Sequence, residues 1–334
     1  MATESLKPGR AWDATFFEWT RDLQLDKNLK TPARAKGATS SWTGCSVKAQ
    51  VIPEYPGKGS PADVRGRLQG IARRTGQVMV KITPGKNHSM RNIKDHMAYL
   101  AREGEETLRD QNGREINGLE EINDLAWGWQ YAGPKMPEHA EHRQAFNIVF
   151  SMPEATDERA VYAAAKATSE LEFAGHQWAM VQHFDEPHVH CHVIVKAENL
   201  DGLRLNPRKA DLQRWRERFA HELRERGVEA EATRRGARMQ REKANKPWAV
   251  TRMQERGQDT HPAPATPNAA RIEKWQTTKK KAASSYDKII TALSQSDDVG
   301  DRVLAKELQH AVGTVVQENT LQNERSKNIP DRER

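Results

Sequence analysis

Hydrophobic positions recur along this chain with two periods, and both are concentrated between about residues 76 and 230. In GQVMVKITPG, Val78, Val80 and Ile82 alternate between Gly76 and Pro84, which predicts a strand. SMRNIKDHMAYLAREG carries Ile93, Met97 and Leu100 at i, i+4 and i+7 and ends at Gly104, which predicts a helix with a stop signal. TLRDQNGREI holds an Asn112-Gly113 turn and reads as a hairpin, with a helix expected over 119–131. AFNIVFSMP is a second strong strand. A helix follows in ATDERAVYAAAKATSELEF, with Thr156 or Asp157 as its cap. HQWAMVQHF and HCHVIVKA are two strands joined by DEPHV, a link too short for a crossover, so they pair antiparallel. In NPRKADLQRWRERFAHELRERG, Leu212, Trp215, Phe219 and Leu223 form one apolar stripe, and seven Arg and Lys lie between Arg208 and Arg226. The expected architecture is α+β, an antiparallel sheet with helices packed on it.

Outside this region the pattern weakens. Residues 1–75 read as an N-terminal extension, part linker (TPARAKGATSS, YPGKGSPAD), with a short helix expected over 13–23. The domain is expected to span 76–235. Residues 236–334 read as a basic tail, partly helical or disordered, with helical patches at 286–293 and 303–316. Only 36% of the 334 residues are hydrophobic and 30% are charged, which fits a chain with segments outside any core. The net charge of +7 favours a polyanionic partner. No run of 18 apolar residues occurs, so no membrane span is expected, and the first residues lack a secretory signal pattern. Two cysteines, Cys45 and Cys191, make no disulfide framework, and a reducing cytoplasm is the expected compartment.

The richest chemistry lies in QHFDEPHVHCHVIV. His183, His188, His190 and His192 fall within ten residues of a chain that has 12 histidines. Side chains alternate on a strand, so His190 and His192 share one face and Cys191, Val193 and Val195 the other. His183 ends the preceding strand, and a tight return sets it opposite or diagonal to that pair. Cross-strand neighbours lie roughly 5 Å apart at Cβ, close enough for three imidazoles to meet one ion. Three ligands with an open position are the pattern of a catalytic site, four that of a structural one. His188 has the parity to close the site but lies in or beside the turn. Asp185 is placed to hold a ring N–H of a ligand histidine. Imidazole ligands suit Mn²⁺ or Zn²⁺ better than Mg²⁺.

Tyr99 is a second feature. At 100° per residue it lies about 130° from the centre of the Ile93–Met97–Leu100 stripe. It shares a face with Asn92, Asp95, His96 and Glu103. A phenol with a pKa near 10 needs a cation or a base nearby to serve as a nucleophile.

In order along the chain, these motifs resemble those of the conjugative relaxases of the HUH endonuclease superfamily, mobilisation-protein P class, which includes the T-DNA border endonuclease. The strand and helix VMVKITPG…HMAYLAREG match the first motif and put Tyr99 at the nucleophile position. The strand FNIVFSMP matches the second and gives Ser151. HFDEPHVHCHVIV matches the third, with His190 and His192 as its paired histidines and His183 at the third-ligand position. Ala98 stands where the family often has Asp or Glu, and Cys191 is a small hydrophobe between the paired histidines. The likeness covers about residues 76–235.

The resemblance implies an antiparallel-sheet HUH endonuclease domain flanked by loosely structured extensions. It implies a divalent metal (Mg, Mn or Zn) on His183, His190 and His192 and attack by Tyr99 on a metal-bound phosphate, leaving a 5′-phosphotyrosine. Ser151 is expected to touch DNA near the cut. Single-stranded DNA at an origin of transfer is the implied substrate, with relaxosome accessory proteins and a type IV secretion coupling protein as partners. Phosphate contacts are expected from Arg204, Arg208, Lys209, Arg214, Arg234, Arg235 and Arg238. A rolling-circle replication initiator shares this chemistry and differs in its DNA site. A non-catalytic DNA-binding accessory protein with a relic metal site is the alternative of another class.

Overall fold

The structure is a computed structural model that describes residues 60–85, 87–134, 140–186, 188–239 and 269–327, with Trp19, Thr20, Leu23, Tyr55, Lys58 and Met136. Most of the helix expected at 13–23, most of the linker before residue 60, and the basic stretch 240–268 lie outside these residues. The chain divides at Gly76 and after Ala232 into two compact units.

The first described helix, α1 (Pro61–Ala72), belongs to the helical unit. The sheet unit follows with β1 (Met79–Thr83), α2 (Met90–Leu100), β2 (Leu108–Asp110), β3 (Glu115–Ile116), α3 (Gly118–Tyr131), β4 (Ala145–Ser151), α4 (Glu158–Glu172), β5 (Trp178–His183), β6 (His190–Lys196) and α5 (Lys209–Arg224). The helical unit resumes with α6 (Ala269–Ser294) and α7 (Val299–Lys327).

The six strands form one antiparallel sheet in the order β1-β4-β6-β5-β2-β3. The expected α+β antiparallel architecture is therefore the one present. Alternation gives the sheet two different faces. Val80, Ile148, Phe150, Met180, Cys191, Val193 and Val195 lie beneath α4 and α5, which contribute Val161, Ala164, Trp215, Phe219 and Leu223. Ala179, Val181 and Ile194 lie beneath α2 and α3, which contribute Ile93, Met97, Leu100, Ile122, Leu125 and Trp129.

Local chemistry sets the element ends. Ser89 caps α2, its hydroxyl accepting from the Asn92 N–H at 3.3 Å. Of the two cap candidates for α4, Asp157 takes the role by accepting from the Arg159 N–H. Gly113 turns the β2–β3 hairpin at φ 80°. Past α2 the backbone is left-handed at Arg102, Glu103 and Gly104, with φ of 49°, 55° and 93°. Gly104 is required there, since a Cβ would stand 2.7 Å from the Gly118 Cα. Lys196 is fully buried, and its ammonium donates to the Trp129 and Ala132 carbonyls at 2.6 and 2.7 Å, at the C-terminal end of α3.

In the helical unit, Val64, Leu68 and Ile71 of α1 share a core with Tyr286, Ile289 and Leu293 of α6 and Leu304 and Leu308 of α7. The patches expected at 286–293 and 303–316 are thus segments of two long helices. Residues 61–63, which read as linker, open a helix instead: Ser60 caps it and Pro61 fits its first turn.

Candidate active site

The three histidines meet on the sheet face that α2 and α3 cover. Register puts Ser151, His190 and His183 side by side on β4, β6 and β5. One step along, Lys81, Val149, His192 and Val181 form the neighbouring row. Directly paired residues project to the same side, so Lys81 and Ser151 share the histidine face. Ring centroids lie 5.4 Å (His183–His190), 4.7 Å (His183–His192) and 5.1 Å (His190–His192) apart. One ligand nitrogen from each ring falls within 4.8 Å of the others, so the triad could hold a metal ion.

Hydrogen bonds orient two of these rings. His190 Nδ1 lies 2.8 Å from the His188 carbonyl, and His183 Nε2 lies 2.8 Å from the Leu100 carbonyl. A ring nitrogen facing a carbonyl must carry the proton, which leaves His190 Nε2 and His183 Nδ1 as the lone-pair donors. Burial, then the charges of His183, His190, His96 and Lys81, push the His192 pKa down to about 3. It therefore stays neutral, the form that ligates. The donor set fits a divalent ion with an open position. His188 is exposed in the loop and contributes its carbonyl rather than its ring. Cys191 is buried on the opposite face, where burial raises its thiol pKa beyond the ordinary range.

Tyr99 is 69% exposed near the end of α2, and the next residue, Leu100, supplies the carbonyl that binds His183. One turn earlier, the His96 ring stacks on Tyr99 with centroids 6.0 Å apart. His96 Nε2 is buried without a hydrogen-bond partner among the described residues, and burial lowers its pKa. Ser151 is buried beside His190, and its hydroxyl reaches the Met152 carbonyl at 3.5 Å.

Asp185 lies within electrostatic reach of His183, but its hydrogen bond is with Arg102 rather than with a ring N–H. Its carboxylate pairs with Arg102 at 2.6 Å, and that guanidinium holds its pKa below the usual carboxylate range. The carboxylate at the ligand ring is Glu106, with Oε2 3.3 Å from His183 Nε2, while Arg102 Nε donates to Glu106 Oε1 at 2.6 Å. Glu106 and Lys81 were both missed. For Lys81 the signal was present, since in VMVKIT it has parity opposite to Val80 and the same as Met79.

The basic residues divide. Arg214 pairs with Glu172 at 2.8 Å and Asp211 at 2.7 Å, and α5, which carries Lys209 and Arg214, packs on the sheet face opposite the histidines. Arg208 and Lys209 are exposed at the start of that helix. The Arg204 side chain donates to the Arg143 carbonyl and lies 3.9 Å from Glu198. Arg234, Arg235 and Arg238 belong to the helical unit.

The antiparallel sheet thus presents three convergent histidines that could hold a metal ion, on the face covered by the helix that carries the exposed Tyr99. Residues 85–228 match the family described as Relaxase: MobA/VirD2-like, nuclease domain. The match supports a relaxase of the HUH endonuclease class, and DNA is the substrate that such a nuclease domain implies. The match starts just after β1 and ends past α5, so it takes in Tyr99, Ser151 and all three histidines. No curated protein matches the chain. Among the described residues, no helix is long and apolar enough to cross a membrane.

Proposed function

We propose that this protein nicks one DNA strand at an origin of transfer by tyrosine attack, in the service of conjugative transfer or plasmid mobilisation. The catalytic domain is taken as residues 76–235. The observation that carries the reading is the 2.8 Å contact of His183 Nε2 with the Leu100 carbonyl, one residue from Tyr99. It ties the nucleophile's helix to the ligand cluster, as an attack within about 3–3.5 Å of a bound phosphate requires.

In the proposed reaction the Tyr99 oxygen bonds to phosphorus as the phosphorus–O3′ bond breaks. The phenol proton passes to solvent, and the leaving 3′ oxygen takes up a proton. One phosphodiester replaces another, so the 5′-phosphotyrosine can be religated. A divalent ion (Mn²⁺ or Zn²⁺ ahead of Mg²⁺ on ligand softness) on His183, His190 and His192 would supply positive charge against the scissile phosphate. Lys81, exposed on the same face, adds a second cation. Ser151, beside His190, offers a hydroxyl to DNA near the cut. Relaxosome accessory proteins and a secretion coupling protein are the partners this role calls for, and the cytoplasm its place.

The test is denaturing gel electrophoresis after incubation with labelled single-stranded origin DNA and Mn²⁺. The wild-type chain should give a protein-linked band, and Tyr99→Phe should bind the DNA and give none. An adduct formed by Tyr99→Phe would overturn the assignment and turn attention to Tyr131, which is 58% exposed on α3. Binding without any adduct in the wild type would favour a non-catalytic accessory role.

A further inference from the structure

The helical unit carries a cluster of cations that the catalytic reading does not use. The 234–238 segment forms a tight turn, with the Arg238 N–H donating to the Arg234 carbonyl. It is pinned on α6: the buried Tyr286 hydroxyl donates to the Ala237 carbonyl at 2.9 Å, and a Cβ on Gly236 would stand 3.1 Å from Thr278 Cγ2. Lys274 and Lys281 lie at i−4 and i+3 of Thr278, on the helix face that the turn approaches, and both are exposed.

Arg238 is the unusual member. Its Nε is buried and has no hydrogen-bond partner among the described residues. Arg235 lies close enough to disfavour its charge, and no carboxylate appears among the groups that offset this. A partly buried guanidinium with an orphaned N–H beside a like charge is a costly arrangement. An anion offsets the like charge, and a phosphate offers acceptor oxygens to the remaining N–H groups of the guanidinium.

We infer that the turn bearing Arg235 and Arg238, together with Lys274 and Lys281 of α6, forms a phosphate-binding site for the DNA backbone, outside the nuclease unit. It rests on the reading of the chain as a DNA enzyme. It adds a sequence-independent contact that holds the strand through charge. The cation–π pair Lys279–Trp275, 5.5 Å apart, lies next to the site on α6.

The test uses the full chain and a labelled single-stranded oligonucleotide of unrelated sequence, with affinity followed over a range of salt. Arg235→Gln/Arg238→Gln removes two phosphate contacts, so the slope of log affinity on log salt should flatten by about 1.4, with several-fold weaker binding at low salt. Because Arg238 is partly buried, thermal unfolding is measured alongside. Lys274→Gln/Lys281→Gln, which changes only exposed side chains, should flatten the slope in the same way. Lys280→Gln, on another face of α6, is the control for net charge. In the Lys280→Gln control the yield of the tyrosine adduct on saturating DNA should stay at the wild-type level. Slopes for both double variants no flatter than that of the control would overturn the site. Loss of the adduct from the wild type itself, with the salt effect intact, would overturn the nicking reading and leave the site standing.

Discussion

His183 lies with Nε2 2.8 Å from the Leu100 carbonyl, 83 positions back along the chain. This bond sets two things together. It fixes which ring nitrogen of His183 faces the other histidines, and it anchors the last turn of the tyrosine helix to the end of β5. The carbonyls at a helix C-terminus lack partners within the helix, so a ring N–H there satisfies a group that would otherwise need water. The helix that carries Tyr99 and the histidine cluster therefore hold one another in place.

Glu106 should sharpen this arrangement. Its Oε2 stands 3.3 Å from the same His183 nitrogen, and Arg102 holds its other oxygen. The ring N–H goes to the Leu100 carbonyl and Glu106 Oε2 makes no hydrogen bond among the described residues, so Glu106 acts on His183 through its charge. Losing a carboxylate behind a ligand histidine typically costs 10–100-fold in metal affinity or activity. Glu106→Ala should weaken Mn²⁺ binding, measured by calorimetry, by about that factor. Asp185→Ala should have a smaller effect, because Arg102 ranks first among the groups that lower the Asp185 pKa and His183 last. Equal losses from the two variants would show that Glu106 acts only through Arg102.

The ligand set makes its own prediction. His190→Ala and His192→Ala should abolish nicking, and His183→Ala should nearly do so. His188→Ala should be mild, because the backbone carbonyl that orients His190 survives the substitution. If His188→Ala matched the other three in lost metal binding, the site would have a fourth ligand and would be closed like a structural one.

Much of this site was legible because strand alternation is rigid. Parity alone separates His190 and His192 from Cys191, and the short DEPHV link forces His183 alongside them. Glu106 was illegible because its reach depends on three consecutive left-handed residues, Arg102 to Gly104, and two of these are not glycine. Asp185 sits nearer in sequence, but its loop gives it to Arg102. The stripe of α5 was read correctly, yet periodicity cannot say which face of a sheet a helix covers. Arg214 therefore serves Glu172 on the far side from the histidines. In the helical unit, apolar residues spaced over two long polar helices meet only once α1, α6 and α7 are brought together.

Lys196 tests the packing that supports the site. It is 1% exposed, and burial lowers its pKa. Its ammonium satisfies the Trp129 and Ala132 carbonyls and reaches Gln177 Oε1 at 3.2 Å. Lys196→Met keeps the chain length and apolar stem but leaves those acceptors bare. At about 1–3 kcal/mol for an orphaned buried group, unfolding should become easier by roughly that amount. An unchanged urea midpoint would mean that water replaces the ammonium.

The last prediction concerns pH and the metal-free protein. His192 has its pKa pushed down from 6.5 to about 3, chiefly by burial. His96 and His176 are lowered for the same first cause. In the unfolded chain these rings titrate normally, near 6.5. As pH falls below that value, the unfolded state takes up protons that the folded state refuses. Stability is therefore complete above about pH 6.5 and is lost as pH falls toward the folded pKa. For His192 alone, linkage gives a loss of roughly 2 kcal/mol at about pH 5. Urea unfolding in the presence of a chelator, at about pH 7.5 and about pH 5, should show a drop of at least that size. His192→Asn should recover part of it, since an amide has no proton to gain. A metal-free protein equally stable at both values would mean that His192 is hydrated and charged in the folded state, and that the triad is not the neutral donor set required to receive an ion.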